Sequence, residues 1–292
     1  MPTSRVVDVD GLKVTYGDVT AVRDLTFHVQ QGELYALLGT NGAGKTSTLD
    51  VIEGRRRATS GTVRVFGRDP LSGRAARPRT GIMLQATAAA PDLTVQKAVG
   101  SIGRVGEIRD DVDAVLCVAG LARKADALVS QLSGGEKRRL DFTTAVYGGP
   151  ELVVLDDPTT GLDSHSRDAL WAAVHRLRHD GSTVLLTTQH PDEVQQHADR
   201  IGLLHEGTLR REGTVAELTR SLPSVISFAL PPGAPEPPII GALNGAFHVK
   251  TFNLQLDLHQ LLVWAHANGV QLHQLRADPP RLDDLLRGSD AP

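Results

Sequence analysis

The sequence predicts an α/β domain built on a largely parallel sheet, with a small α+β domain following it in the chain. Three observations carry that reading. Short apolar runs such as "LYALLG", "LVVLDD", "TVLLTTQ" and "RIGLLHEG" are continuous rather than alternating, as strands buried on both faces require. Longer helical patterns separate them, including "KTSTLDVI", "DVDAVLCVAGLA" and "SRDALWAAVHRLRHDG". Strands alternating with helices indicate parallel pairing. The pattern changes near residue 220, ahead of the proline-rich "LPPGAPEPPIIG" at 230–241, which suits neither a helix interior nor a central strand.

Taken in order, the opening "RVVDVDGLKVTYGDVTAVRDLTFHVQQGE" alternates its faces between glycine turns and predicts an N-terminal antiparallel β subdomain. The basic run "GRRRATSG" at 54–61, with Arg68, Arg74, Arg77 and Arg79, reads as solvated loop. Cys117 lies in an apolar helical pattern, "AVLCVAG", and is expected to be a buried, inert thiol. Past residue 220, "SVISFAL", "DLHQLLVWAHANG", "VQLHQLRA" and "PPRLDDLLRG" supply strands and helices for a small accessory domain. The expected division is 1–220 and 221–292.

Composition narrows the function. A formal charge of -3 over 292 residues provides no global basic field, which argues against nucleic acid as the main partner. One cysteine cannot form an internal disulfide and fits a reducing compartment. No apolar stretch reaches the length needed to cross a bilayer, and "MPTSRVVDVDG" has no signal-peptide core, so the chain by itself is expected to be soluble.

The strongest chemical signal is "LLGTNGAGKTS": Gly39, four residues, then Gly44, Lys45 and Thr46, between a strand and a helix. This is a phosphate-binding loop in its required context, where glycines let consecutive N–H groups close around phosphate oxygens at a helix N-terminus. Gly39, Asn41, Gly42, Ala43, Gly44, Lys45, Thr46 and Ser47 are the candidate contacts. Lys45 would reach the β- and γ-phosphates, and Thr46 would offer its hydroxyl to Mg²⁺. Such a loop needs a carboxylate at the end of another strand to hold the metal. "LVVLDDPTTGLD" supplies Asp156, with Asp157 beside it. Alone, that pair would read as a solvated turn; beside a phosphate loop it reads as part of the site.

A second signal is "QLSGGEKRRLDFTTAV", where Ser133, Gly134 and Gly135 open a helix about twenty residues before the aspartates. With the phosphate loop before it and the aspartates after it, the chain resembles the ATP-binding subunit of ABC transporters over roughly residues 5 to 218. That resemblance implies a P-loop NTPase fold of the ABC ATPase type with a helical signature subdomain. It also implies a head-to-tail dimer, in which Ser133, Gly134 and Gly135 face the γ-phosphate held by the other subunit. Position by position, Tyr16 matches the aromatic that stacks on adenine, and Gln85 the glutamine that senses metal and γ-phosphate. Asp163 matches an aspartate between the subunits, with helix capping as its plainer reading, and His190 the histidine that contacts the γ-phosphate.

The opening segment and the tail resemble the ABC-2 exporter ATPases, including the daunorubicin-resistance branch. This implies export of a hydrophobic drug, natural product, lipid or glycan through a separate transmembrane permease. The chain would then act at the cytoplasmic face of the membrane, with ATP and Mg²⁺ and as a homodimer in preference to a heterodimer. A soluble ABC ATPase outside transport, or a regulatory one, is the alternative. The family pattern has glutamate where this chain has Asp157; Thr40, Glu136 and Thr160 are milder departures. The shorter carboxylate ends about 1.5 Å nearer the backbone, which predicts slow hydrolysis. In an extended strand Asp156 and Asp157 would point to opposite sides, one serving metal and one serving water.

Overall fold

The computed structural model describes residues 4–72, 79–85, 89–106, 111–238, 242–243 and 246–288. Its contacts divide the chain into two compact units, Met1–Thr214 and Val215–Pro292.

In the first unit, β1 (Arg5–Tyr16) and β2 (Val19–Gln30) pair antiparallel from Arg5↔Gln30 to Tyr16↔Val19. β3 (Leu34–Leu38) runs into the phosphate loop and α1 (Lys45–Ile52), and β4 (Ser60–Val65) returns to pair antiparallel with β1. β5 (Thr80–Met83) leads to the helices α2 (Val95–Gly106), α3 (Val112–Val118) and α4 (Gly134–Val146). The chain then alternates β6 (Leu152–Asp156), α5 (Ser164–His179), β7 (Thr183–Thr188), α6 (Pro191–His197), β8 (Arg200–His205) and β9 (Thr208–Gly213). One nine-stranded sheet results, ordered β4-β1-β2-β9-β8-β3-β7-β6-β5. The run β8-β3-β7-β6-β5 is parallel, as the continuous apolar strands demand; β3, β6 and β7 are buried at every position.

The core joins both sheet regions through Val7, Leu12, Leu25, Phe27, Leu37, Leu49 and Val154. Full burial of such side chains contributes about 1.5–3 kcal/mol each. A second cluster beneath α2–α4, including Val95, Val99, Leu116, Leu140 and Tyr147, forms the helical region. There β5 crosses α4 so closely that a Cβ on Gly81 would lie 1.7 Å from the Ala145 carbonyl oxygen. Only glycine allows that approach, and it sets α4 against the end of the sheet.

The second unit contains α7 (Val215–Thr219), β10 (Ser224–Ala229), β11 (Ala242–Leu243), β12 (Ala246–Thr251), α8 (Leu254–Ala267), β13 (His273–Asp278) and α9 (Leu282–Gly288). Its four-stranded sheet is ordered β11-β12-β10-β13, and its small core holds Ile226, Phe228, Val249 and Leu261.

Two expectations change. Cys117 is exposed, not buried: Leu116 takes the inward position on α3, and the next residue lies about 100° further round a helix of 3.6 residues per turn. Nor is the basic run simply solvated. Arg55 pairs with Asp50 and Glu53, each at 2.6 Å, while Arg56 donates to the Thr15 carbonyl at 2.7 Å. Arg79 pairs with Glu151 and lies over Phe66; Arg74 and Arg77 fall outside the described residues. Among the described residues no helix is long and apolar enough to cross a membrane.

Candidate nucleotide site

The phosphate loop closes by local bonds. Ala43 N–H donates to Thr40 O at 3.2 Å, and Lys45 Nζ folds back to Gly39 O at 2.9 Å and Thr40 O at 3.2 Å. α1 starts after Gly44, whose φ of +104° is left-handed, and no side chain caps that start. A Cβ there would also come within 2.5 Å of Ala21 O, so glycine is required twice over. Asn41, Gly42 and Thr46 are exposed and Ser47 is half-buried, while Gly39, Ala43 and Lys45 are buried. The result is a helix N-terminus with a buried lysine beside it, suited to an anion.

Asp156 ends β6 and is buried; its Oδ2 accepts from Thr46 Oγ1 at 3.0 Å and its Oδ1 from Thr187 Oγ1 at 2.5 Å. At Asp157 the strand stops. Its φ is +46°, a left-handed conformation that a non-glycine residue rarely adopts and that proline at 158 does not favour. Such a position costs on the order of 1–3 kcal/mol and persists only when its surroundings fix it. Thr187 does so from one side: the Asp157 N–H donates to its O at 3.1 Å and its Oγ1 at 3.2 Å.

The expectation of side chains on opposite faces of an extended strand therefore fails. The left-handed turn brings both carboxylates into the field of Lys45. Burial lowers the Lys45 pKa, against which Asp157 and Asp156 both act. Burial likewise raises the Asp157 pKa, with Lys45, His190 and Arg138 pulling it back and Asp156 adding to the rise. Asp157 Oδ1 is buried with no hydrogen-bond partner, so one acceptor keeps its bonding capacity unused.

The other sequence-derived candidates divide into two groups. His190 stands exposed at the start of α6, its N–H donating to Thr188 Oγ1 at 3.0 Å, and it is near enough to act on Asp157. Gln85 is exposed just past β5. Tyr16 is 40% exposed, its hydroxyl 3.3 Å from Ser47 Oγ and 3.4 Å from Asp50 Oδ2; the Arg56 guanidinium lies 3.7 Å from the ring centroid. By contrast, Ser133, Gly134 and Gly135 open α4, whose main packing partners are α2, β5 and β6 rather than α1. Ser133 Oγ accepts from Glu136 N at 3.3 Å while Glu136 Oε2 accepts from Ser133 N at 2.8 Å, a reciprocal cap. Asp163 caps α5, accepting from Ser166 N at 2.7 Å.

Thr46 and Asp156 fit a magnesium ion. They are hard oxygen donors drawn together at 3.0 Å beside the phosphate loop, the donor chemistry that Mg²⁺ takes alongside phosphate oxygens and water.

Two residues escaped the sequence reading. Thr187 sits inside an apolar strand run, where a threonine is unremarkable, and Arg138 within "EKRR" looks like a charged helix face. The structure instead buries both and directs them at the aspartates.

A phosphate loop after β3, two carboxylates at the end of β6 and a helical insertion between β5 and β6 define a P-loop nucleotide-binding domain of the ATP-binding-cassette type. Residues 22–160 match the "ABC transporter" family and 224–280 the "ABC transporter domain-containing protein-like, C-terminal domain" family. The chain is 39% identical over 221 residues to the Nod factor export ATP-binding protein I of Paraburkholderia xenovorans, covering 74% of this chain and 73% of that one. It is 37% identical over 227 residues to the daunorubicin/doxorubicin resistance ATP-binding protein of Streptomyces peucetius, covering 76% and 69%. Among solved structures, an ATP-binding subunit of an ABC transporter aligns with TM-score 0.69 at 24% identity, over 74% of this chain and 92% of that one. A dimeric cassette in a post-hydrolysis state with ADP and Pi gives 0.65 at 23%, over 72% and 98%. The chain belongs to the ABC transporter ATP-binding protein family, on its ABC-2 exporter branch, and is an ABC ATPase.

Proposed function

We propose that this chain hydrolyses Mg-ATP in a head-to-tail dimer, a homodimer in preference to a heterodimer, to drive export through a separate transmembrane permease. It would stand at the cytoplasmic face of the membrane, held there by that permease. Residues 1–220 form the ATP-binding domain in this reading and 221–292 an accessory domain for dimerisation, stability or coupling. The observation that carries it is the convergence of Lys45, Thr46, Asp156 and Asp157 at the end of the phosphate loop.

Roles follow from position. Tyr16 would stack on the base; the amides of 39–47 and Lys45 would hold the phosphates; Thr46, Asp156 and Gln85 would hold the metal. Mg²⁺, when bound there, would supply neutralisation of phosphate charge. Asp157, through its unpartnered Oδ1, orients the attacking water and favours loss of its proton, while His190 donates to a γ-phosphate oxygen. Ser133, Gly134 and Gly135 of the second subunit close the site from the opposite side. Because aspartate is one methylene shorter than glutamate, turnover is slow, with nucleotide binding preserved.

The substrate class is a hydrophobic natural product, lipid or glycan, by analogy with the exporters whose ATP-binding proteins are similar. The test is ATPase turnover of the chain with its co-expressed permease. Lys45→Ala is expected to lose at least two orders of magnitude in turnover, or nucleotide binding altogether. Full retention of both would remove the basis of the proposal.

A further inference from the structure

Arg138 lies on the fifth residue of α4 and is 6% exposed. Its five donor positions all point at main-chain oxygens. Nε donates to Pro158 O at 3.2 Å; Nη1 to Leu84 O at 2.6 Å and Gln85 O at 3.0 Å; Nη2 to Asp156 O at 2.7 Å and Asp157 O at 2.5 Å. A guanidinium carries five N–H donors in a rigid planar fork, so one side chain ties five carbonyl oxygens to a single rigid group. They belong to two separate segments, one past β5 and one past β6. β5 and β6 pair directly as far as Met83↔Leu155; just past that register Arg138 bonds to both segments at once.

The second segment contains the left-handed Asp157. Thr187 holds its N–H and Arg138 holds its carbonyl, so the peptide groups on both sides of its Cα are fixed. The side-chain direction then follows from the backbone, since an aspartate has only two side-chain torsions with which to correct it.

We propose that Arg138 is a positioning residue for hydrolysis, which aims the Asp157 carboxylate and sets it in register with Gln85 from its seat on α4. This rests on the functional reading above. It makes the direction of the carboxylate depend on where α4 stands against β5 and β6, since a shift of that helix displaces all five bonds together. A misplacement of about 1 Å at a catalytic group can cost on the order of 10²-fold in rate.

The experiment uses the full chain with its permease and compares Arg138→Lys and Arg138→Gln with wild type, in the native background and in Asp157→Ala. Neither substitute spans the five carbonyls: lysine has three donors on one atom and glutamine two. In the native background kcat is expected to fall about 10²-fold, with KM for ATP and equilibrium ATP binding changed less than about threefold. In Asp157→Ala the same substitutions are expected to change residual turnover by less than about threefold, because residues acting as a unit are not additive. Equal losses in both backgrounds, unchanged kcat in a variant that binds ATP, or loss of ATP binding in both variants would each overturn the proposal. Failure of the functional reading is separate: it shows as a wild-type complex without ATPase activity.

Discussion

The phosphate loop and the carboxylate turn meet at Lys45, yet they are held in different ways. Lys45 bonds to Gly39 and Thr40, six and five positions away in sequence, and the loop's special backbone belongs to glycine. The turn at 156–158 is fixed by Arg138, 18 to 20 positions away, and by Thr187, 30 and 31 away. Its special backbone belongs to an aspartate. The loop's lysine bonds and its left-handed glycines are local, although remote bonds anchor its ends, Gly39 N–H to Thr188 O at 3.2 Å and Gly207 N–H to Ala43 O at 3.0 Å. A turn determined by remote groups has its geometry only when β6, β7 and α4 are packed together. Nucleotide binding and hydrolysis are thereby expected to respond differently to substitution.

The largest expected effect breaks that separation on one side only. Asp157→Asn keeps the shape of the turn and removes the carboxylate. It is expected to lower ATPase turnover on the order of 10³-fold, or about 4 kcal/mol, while ATP binding stays near wild type; unchanged turnover would exclude Asp157 as the group that activates water. Asp157→Glu asks whether length or conformation dominates. Extra reach favours faster turnover, by up to about 10²-fold, although glutamate tolerates a left-handed backbone less well than aspartate. If wild type is fast and glutamate slows it, the turn is matched to aspartate. Burial raises the Asp157 pKa, so the carboxylate is protonated at higher pH than an ordinary aspartate. Wild-type kcat should accordingly fall on acidification before an exposed carboxylate would titrate, an acid limb absent from Asp157→Asn.

A second test concerns the helix that follows the phosphate loop. Burial raises the Glu53 pKa from 4.5 to about 7, with Arg55 acting in the opposite direction, and its side chain has no solvent exposure. Between pH 4.5 and about 7 the folded chain is therefore expected to hold a proton there that the unfolded chain releases. Stability from Glu53 is fully present below 4.5 and is lost as pH rises through about 7. Glu53→Gln, measured by denaturant unfolding, should match wild type near pH 4.5 and exceed it at pH 8, by on the order of 3 kcal/mol. A pH-independent difference would show that Arg55 keeps the group ionised.

The smallest effect sharpens the comparison on α4. Ser133→Ala removes a local cap and should cost about 1 kcal/mol, or about 3 °C in melting temperature for a domain of this size. A larger loss would mean that the cap supports Arg138 as well as its own helix.

The two outcomes for the arginine runs and the cysteine show how far local pattern reaches. Arg56 and Arg138 read as surface charge because a run of cations in sequence carries no sign of what lies opposite. In the folded chain Arg56 covers Tyr16 and Arg138 is saturated by carbonyls. Cys117 follows an apolar pattern, yet Leu116 takes the inward place, since periodicity read to within one residue leaves the helix face uncertain by about 100°.

The sequence by itself determined the parallel sheet, the phosphate loop with Lys45 and Thr46, the two aspartates at the end of a buried strand and the change of pattern near residue 220. These rest on continuous apolar runs and fixed spacings, which act over a few residues and so survive in one dimension. Only the tertiary structure decided that Asp157 turns left-handed, that both carboxylates reach the field of Lys45 and that Arg138 joins the two segments. The reason is that a strained backbone conformation and a saturated guanidinium are set by groups 18 to 54 positions apart, and their approach exists only once the helices have packed on the sheet.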